Sequence, residues 1–187
     1  GDIDGDGKPD LVVANYTSNN VSVLRNTTTY SSITAGSFAA KVDFTSGTNP
    51  NYIAIGDIDG DGKPDLAVTN YTSNTVSILR NTGTSGSISA SSFAAKVDFN
   101  TGTGPHGITI GDLDGDGKPD LTVPNYNSNT VSVFRNISTS GAITTGSFSS
   151  KVDFNSGSSP NGVAIGDLDG DGKPDLVSAN YGSSTVS

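Results

Sequence analysis

Glutamate, cysteine, methionine and tryptophan are all missing from this 187-residue chain, and histidine occurs once, at His106. Without cysteine there are no disulfide staples and no thiolate metal sites, although the compartment stays open on that ground alone. No apolar run approaches the roughly 20 residues needed to span a bilayer. Nor is any apolar stretch of helical period long enough to define a helix. The ten Lys and Arg residues are dispersed and outweighed by a net charge of −9, which argues against a nucleic-acid partner. No leader segment is visible; the chain begins inside a repeat at Gly1, which leaves room for one upstream.

What the chain does contain is aspartate, very unevenly distributed. Sixteen of its nineteen acidic residues lie in four copies of one stretch: Gly1-Asp2-Ile3-Asp4-Gly5-Asp6-Gly7-Lys8-Pro9-Asp10, then Gly56 to Asp65, Gly111 to Asp120 and Gly166 to Asp175. The offset is 55 residues each time. Within a copy the carboxylates fall at loop positions 1, 3, 5 and 9, with glycine at 6 and lysine at 7. Alternate side chains of a tightly curled loop converge on one point, and the glycine lets the position-7 carbonyl turn inward.

Four charged oxygen donors suit Ca²⁺ far better than a soft metal. The expected ligands are Asp2, Asp4, Asp6 and Asp10 with the Lys8 carbonyl; Asp57, Asp59, Asp61 and Asp65 with Lys63; Asp112, Asp114, Asp116 and Asp120 with Lys118; and Asp167, Asp169, Asp171 and Asp175 with Lys173. Asp-Gly pairs also make plain polar turns, but fourfold repetition at constant spacing argues for a shared ligand. A helical EF-hand loop would end in glutamate at position 12, where this chain has Val13, Val68 and Val123 inside apolar runs. The loop therefore opens into a strand, and position 9 must close the site. Four Ca²⁺ ions would bring the net charge of −9 to about −1. Because such loops fill most readily where calcium is abundant, they point to an extracellular or cell-surface setting.

After the first loop, Leu11 to Tyr16 reads as a strand, Thr17 to Asn20 as a turn and Val21 to Asn26 as the antiparallel return. A Ser/Thr-rich linker from Thr27 to Gly36 leads to Ser37–Phe44, whose alternating Phe38, Ala40, Val42 and Phe44 predict a third strand. Tyr52 to Ile55 is a brief fourth strand entering the next loop. The order then repeats. Its units are 1–55, 56–110 and 111–165, with a partial unit at 166–187, about 3.4 repeats in all. Four short strands per repeat, unable to bury both faces alone, predict an all-β chain of tandem antiparallel β-propeller blades.

The Asp-x-Asp-Gly-Asp-Gly-Lys-Pro-Asp-Leu loop, preceded by a short apolar strand after a Pro-containing turn, resembles the FG-GAP or VCBS repeat of integrin alpha-chain propellers and secreted bacterial proteins. The resemblance covers the whole chain. It implies one Ca²⁺ per loop on the Asp residues and Lys carbonyls named above, in blades of a propeller that usually has seven. Three full periods and part of a fourth are fewer than such propellers contain, which suits either a longer chain or joining with further copies.

No nucleophile–base pair recurs, and the place of His106 is taken by Asn51 and Asn161 in neighbouring repeats. The chain is therefore expected not to be an enzyme, and its role to be structural, adhesive or protein-binding. The alternatives are a lectin-like propeller or the non-catalytic portion of a larger secreted enzyme; Tyr16, Tyr71, Tyr126 and Tyr181 recur at one strand position and read equally as packing at the blade edge or as stacking platforms for a ligand. Lys41, Lys96 and Lys151, and Arg25, Arg80 and Arg135, also recur every 55 residues and are expected to make solvated or blade-to-blade ionic contacts rather than a site.

Overall fold

Proline at loop position 8 blocks ladder pairing, and the Asp-Leu that follows releases the chain into a strand. The structure, a computed structural model, describes residues 1–29 and 32–187; residues 30 and 31, within the Thr27 to Gly36 linker, lie outside the described residues. Among the described residues there is no helix. The strands are β1 Leu11–Asn15, β2 Asn20–Leu24, β3 Val42–Thr45, β4 Pro50–Gly56, β5 Asp65–Asn70, β6 Thr75–Leu79, β7 Val97–Asn100, β8 Thr109–Gly111, β9 Asp120–Asn125, β10 Thr130–Phe134, β11 Val152–Asn155, β12 Pro160–Gly166, β13 Asp175–Asn180 and β14 Thr185–Val186.

They form four antiparallel sheets, ordered β1-β2-β3, β4-β5-β6-β7, β8-β9-β10-β11 and β12-β13-β14. These are the blades of a propeller. A blade does not share the frame of the sequence period: the strand before each Asp loop is the first strand of the following sheet, so the second sheet runs from Pro50 to Asn100. The second, third and fourth loops thus join the first and second strands of one blade, and the first loop leads into β1.

The third strand is shorter than its alternation predicts. β2 and β3 pair from Val23↔Val42 to Asn20↔Thr45, while Phe38 reaches only an isolated bridge with Asn26. Between these pairs the incoming chain carries one residue more than β2, so the ladder is interrupted as at a bulge. Ser37 closes a turn just upstream, donating its N–H to the Thr34 carbonyl (3.0 Å) and accepting the Thr34 N–H on Oγ (2.8 Å). The same arrangement recurs at Phe93 and Phe148. Hairpin turns are closed by Asn19, Asn74 and Asn129 at φ of 56, 55 and 56°, a conformation asparagine tolerates better than most residues.

Stacking buries all six residues of β5, within the second blade. Phe44 meets Phe93, and Phe99 meets Phe148, edge to face at 4.9 Å, linking successive blades. The first strands of neighbouring blades converge closely: a Cβ on Gly111 would lie 2.9 Å from Cδ1 of Ile165. Polar groups cross the blades too. Asn70 accepts the Gly47 N–H of the preceding blade at 2.9 Å and donates to Thr75 and Ser77, and Ser77 donates onward to Asp98 at 2.6 Å.

One buried polar atom stands out in this packing. Thr122 is fully buried and its Oγ1 has no hydrogen-bond partner among the described residues, whereas the same place in the other blades holds Val12, Ala67 and Val177. Thr122→Val is therefore expected to stabilise by about 1 kcal/mol and raise the melting midpoint by about 2–4 °C. A calorimetric scan checks this, and an unchanged or lower midpoint would mean that the hydroxyl is satisfied.

Candidate metal centre

Each Asp loop is curled by its own amides. In the first, Asp2 accepts the Asp6 N–H on Oδ1 (3.1 Å) and the Gly7 N–H on Oδ2 (2.8 Å), Asp4 accepts the Asp6 N–H (3.2 Å), and Asp6 accepts the Lys8 N–H (3.0 Å). Gly5 and Gly7 stand at φ of 66 and 85°, where a side chain would be strained.

Position 9 has a different place. Asp10 is buried and accepts the Ile3 N–H on Oδ2 (2.9 Å) and the Asn26 N–H on Oδ1 (2.7 Å), tying the start of the loop to the end of the hairpin. Asp65 does the same with Ile58 and Asn81, and Asp120 with Leu113 and Asn136, while Asp175 accepts the Leu168 N–H.

Carboxylate oxygens gather within 4.8 Å of one another in every loop, but not the same three. In the first two loops the group is Asp2, Asp4 and Asp6, and Asp57, Asp59 and Asp61; Asp10 and Asp65 stand outside it. In the last two it is Asp112, Asp114 and Asp120, and Asp167, Asp169 and Asp175, leaving Asp116 and Asp171 outside. The difference follows position 1. Asp2 and Asp57 bind the amide of position 5 through Oδ1, whereas Asp112 and Asp167 bind that of the glycine before it, Gly115 and Gly170.

The first two loops are also held by the next blade. Asn81 donates to the Ile3 carbonyl (2.8 Å), Ser85 to that of Gly5 (3.0 Å) and the Gly86 N–H to that of Asp4 (2.9 Å). Asn136, Ser140 and Gly141 repeat this on Ile58, Gly60 and Asp59.

The arginines pair with the Asp loops of their own blades, which corrects the expectation of solvated or blade-to-blade contacts away from a site. Arg25 donates from Nε to Asp4 (2.6 Å) and from Nη2 to Asp6 (3.0 Å), both in its own blade. Arg80 spans Asp59 and Asp61, and Arg135 spans Asp114 and Asp116. The only sequence signal for this was their recurrence at the loop spacing. Lys41, Lys96 and Lys151 pair with Asp43, Asp98 and Asp153 two residues on. Of the loop lysines, Lys63 and Lys118 send their ammonium groups to the Gly83 and Ser138 carbonyls, at 2.9 and 2.8 Å.

Local fields follow from this geometry. Burial pushes the Asp65 carboxyl up to about 6 against its two amide bonds, and burial raises Asp120 as well. The hydrogen bond from Arg135 holds Asp114 below the usual carboxylate range.

His106 stands apart from the loops, near Tyr52, Tyr71 and Tyr126, and burial pushes its imidazole below the usual histidine range. A histidine whose folded pKa is lowered favours the neutral form in the folded state. Its contribution is present above the unfolded pKa of about 6.5 and is lost as pH falls through the folded value. Wild-type protein is therefore expected to lose more stability between pH 7.5 and 5 than His106→Asn, which carries the residue found in neighbouring blades. Urea unfolding at the two pH values checks this, and equal losses would contradict it.

A profile of the FG-GAP-like repeat matches residues 2–68, 57–123 and 121–178. No curated protein matches the chain. Among solved structures, the crystal structure of BBS1N in complex with ARL6DN, soaked with mercury, is similar over 98% of this chain, at 16% identity and a TM-score of 0.55. The chain spans 48% of the length of that neighbour. At such identity the likeness is one of fold.

Proposed function

We propose that this chain, which belongs to the FG-GAP-like repeat family, is a calcium-binding extracellular repeat protein whose blades serve structural, adhesive or protein-binding roles. The observation that carries the reading is the convergence of three carboxylates within 4.8 Å in each of four loops. Every donor in those groups is a hard oxygen, which fits a divalent cation of the calcium class and not a soft metal. Asp2, Asp4 and Asp6 would hold the ion in the first loop, with the Lys8 carbonyl at position 7. Asp10 would complete the sphere after a small rotation, or remain the tie between the loop and its hairpin. The corresponding residues serve the other loops.

The ion's part is to neutralise charge that the loop has already gathered. Arg25, Arg80 and Arg135 supply part of that compensation from their own blades. Because the next blade grips the main chain of the first two loops, cation binding there is coupled to blade stacking. A role without catalysis is supported by the use of the recurring polar groups in blade structure. That the neighbour of similar fold was crystallised in complex with a second protein supports a role in protein interaction.

A terbium luminescence titration tests the cation class. Calcium is expected to displace terbium at concentrations where magnesium does not, because Mg²⁺ is reluctant to shed its waters for a many-carboxylate site. Equal displacement by both, or no terbium signal, would contradict the reading.

A further inference from the structure

Away from the Asp loops lies a cavity of about 490 Å³, lined by Tyr16, Tyr71, Tyr126 and Tyr181 together with Asn51, His106 and Asn161. All four blades contribute. The tyrosines follow the last residue of β1, β5, β9 and β13, while the Asp loops precede the first residue of those strands. Five or six residues of strand place the two features roughly 15–20 Å apart, at opposite ends of the blades. The cavity is thus independent of the cation loops.

Its chemistry is specific. Among the described residues, no Lys, Arg, Asp or Glu lines it. Three of its rings run side by side: His106 and Tyr126 are 5.8 Å apart and tilted by 35°, and Tyr126 and Tyr181 are 6.4 Å apart with the same tilt. Tyr71 and Tyr126 of the inner blades are half-buried and Tyr181 is 72% exposed, so ring area borders the cavity. The Nδ1 atom of His106 is buried and has no hydrogen-bond partner among the described residues. The volume lies within the range of small-molecule sites, about 300–1,000 Å³.

We propose that this cavity binds a neutral saccharide, with the apolar face of a pyranose against the Tyr126 and Tyr181 rings and its hydroxyls toward the Asn161 amide and the tyrosine hydroxyls at the rim. An anionic ligand would enter without a cationic partner. A quaternary ammonium is best met by ring faces that converge on one point, whereas His106, Tyr126 and Tyr181 lie side by side. A purely apolar ligand would leave the polar rim of Asn161 and the tyrosine hydroxyls without a partner. A pyranose has both an apolar C–H face and a rim of hydroxyls, so it matches platform and rim together.

The test uses the whole chain in calcium, on an array of neutral oligosaccharides, followed by calorimetric titration with the glycan bound best. Tetramethylammonium and tri-galacturonic acid serve as cationic and anionic probes. Binding of a neutral glycan is expected, weakened about tenfold or more by Tyr181→Ala or Tyr126→Ala. Tyr181 is so exposed that its replacement leaves the fold intact, and an unchanged melting curve verifies this for each variant. His106→Asn is expected to weaken binding less than the tyrosine substitutions. The proposal is overturned if no neutral glycan on the array binds, if only a charged probe binds, or if Tyr181→Ala and Tyr126→Ala bind as tightly as wild type. Failure here leaves the calcium reading standing, since terbium displacement reports on the opposite end of the blades.

Discussion

Asp65→Ala is expected to destabilise the chain by about 4 kcal/mol, through the loss of acceptors for two buried amides at about 1–3 kcal/mol each. Asp65 is fully buried, and its carboxylate accepts the Ile58 N–H at 3.0 Å and the Asn81 N–H at 2.8 Å. Neither amide has water to turn to once the side chain is gone. Domains of ordinary stability have only about 5–15 kcal/mol in total, so a chemical-denaturation midpoint should fall by a large fraction. The damage should reach beyond one loop, because the residue after the lost tie, Asn81, also grips Ile3 of the preceding blade. Asp65→Asn should cost less, since it keeps one acceptor oxygen. A variant with a wild-type midpoint would show that the tie does not bear on stability, and would return Asp65 to the simpler role of ligand.

Withdrawal of calcium is expected to have the second large effect. A ligand that binds only the folded state adds about 2.7 kcal/mol per site when present at 100 times its dissociation constant. Four such sites make the calcium contribution comparable to the whole stability of an ordinary domain. Chelation should therefore lower the melting temperature steeply. Asp61→Ala should remove part of this dependence. It takes away a position-5 carboxylate of the Asp57, Asp59 and Asp61 group and one of the two partners of Arg80. The remaining melting increment on adding calcium should be smaller than in wild type. Melting curves with and without chelator decide the matter, and identical curves for wild-type protein would exclude a structural cation.

The 55-residue recurrence was enough to establish an all-β chain of tandem blades, because a short apolar run after Pro9 or Pro64 has few other fates than a strand. Alternation also located many of the buried residues, Val21, Val23, Val76 and Val131 among them, but Val152 and Phe154, which keep the same pattern in β11, are exposed. What the pattern could not reveal was pairing across the sequence frame. Tyr52 to Ile55 belongs with the strand beyond the loop, not with the three strands before it, and nothing local distinguishes the two. The third strand was overextended because Phe38, Ala40, Val42 and Phe44 keep a period of two while one extra residue breaks the ladder between Phe38 and Val42.

In the site, the aspartate spacing pointed to convergence, and each loop does bring three carboxylates together. The split between positions 5 and 9 was hidden, since it depends on which amide the position-1 aspartate accepts. The arginine partners were hidden as well. Their guanidinium groups reach back 19 and 21 residues along the chain, a distance fixed by the hairpin and not by any local motif. The tyrosines recurred visibly, but that they and His106 share one cavity depends on the stacking of all four blades.

Native mass spectrometry of the purified chain, sprayed from calcium-containing and from chelated buffer, tests most directly whether the four loops are cation sites. A mass increment of four calcium ions in the first buffer, absent in the second and reduced by one ion in Asp61→Ala, is the predicted result. A chain of the same mass in both buffers would contradict the account.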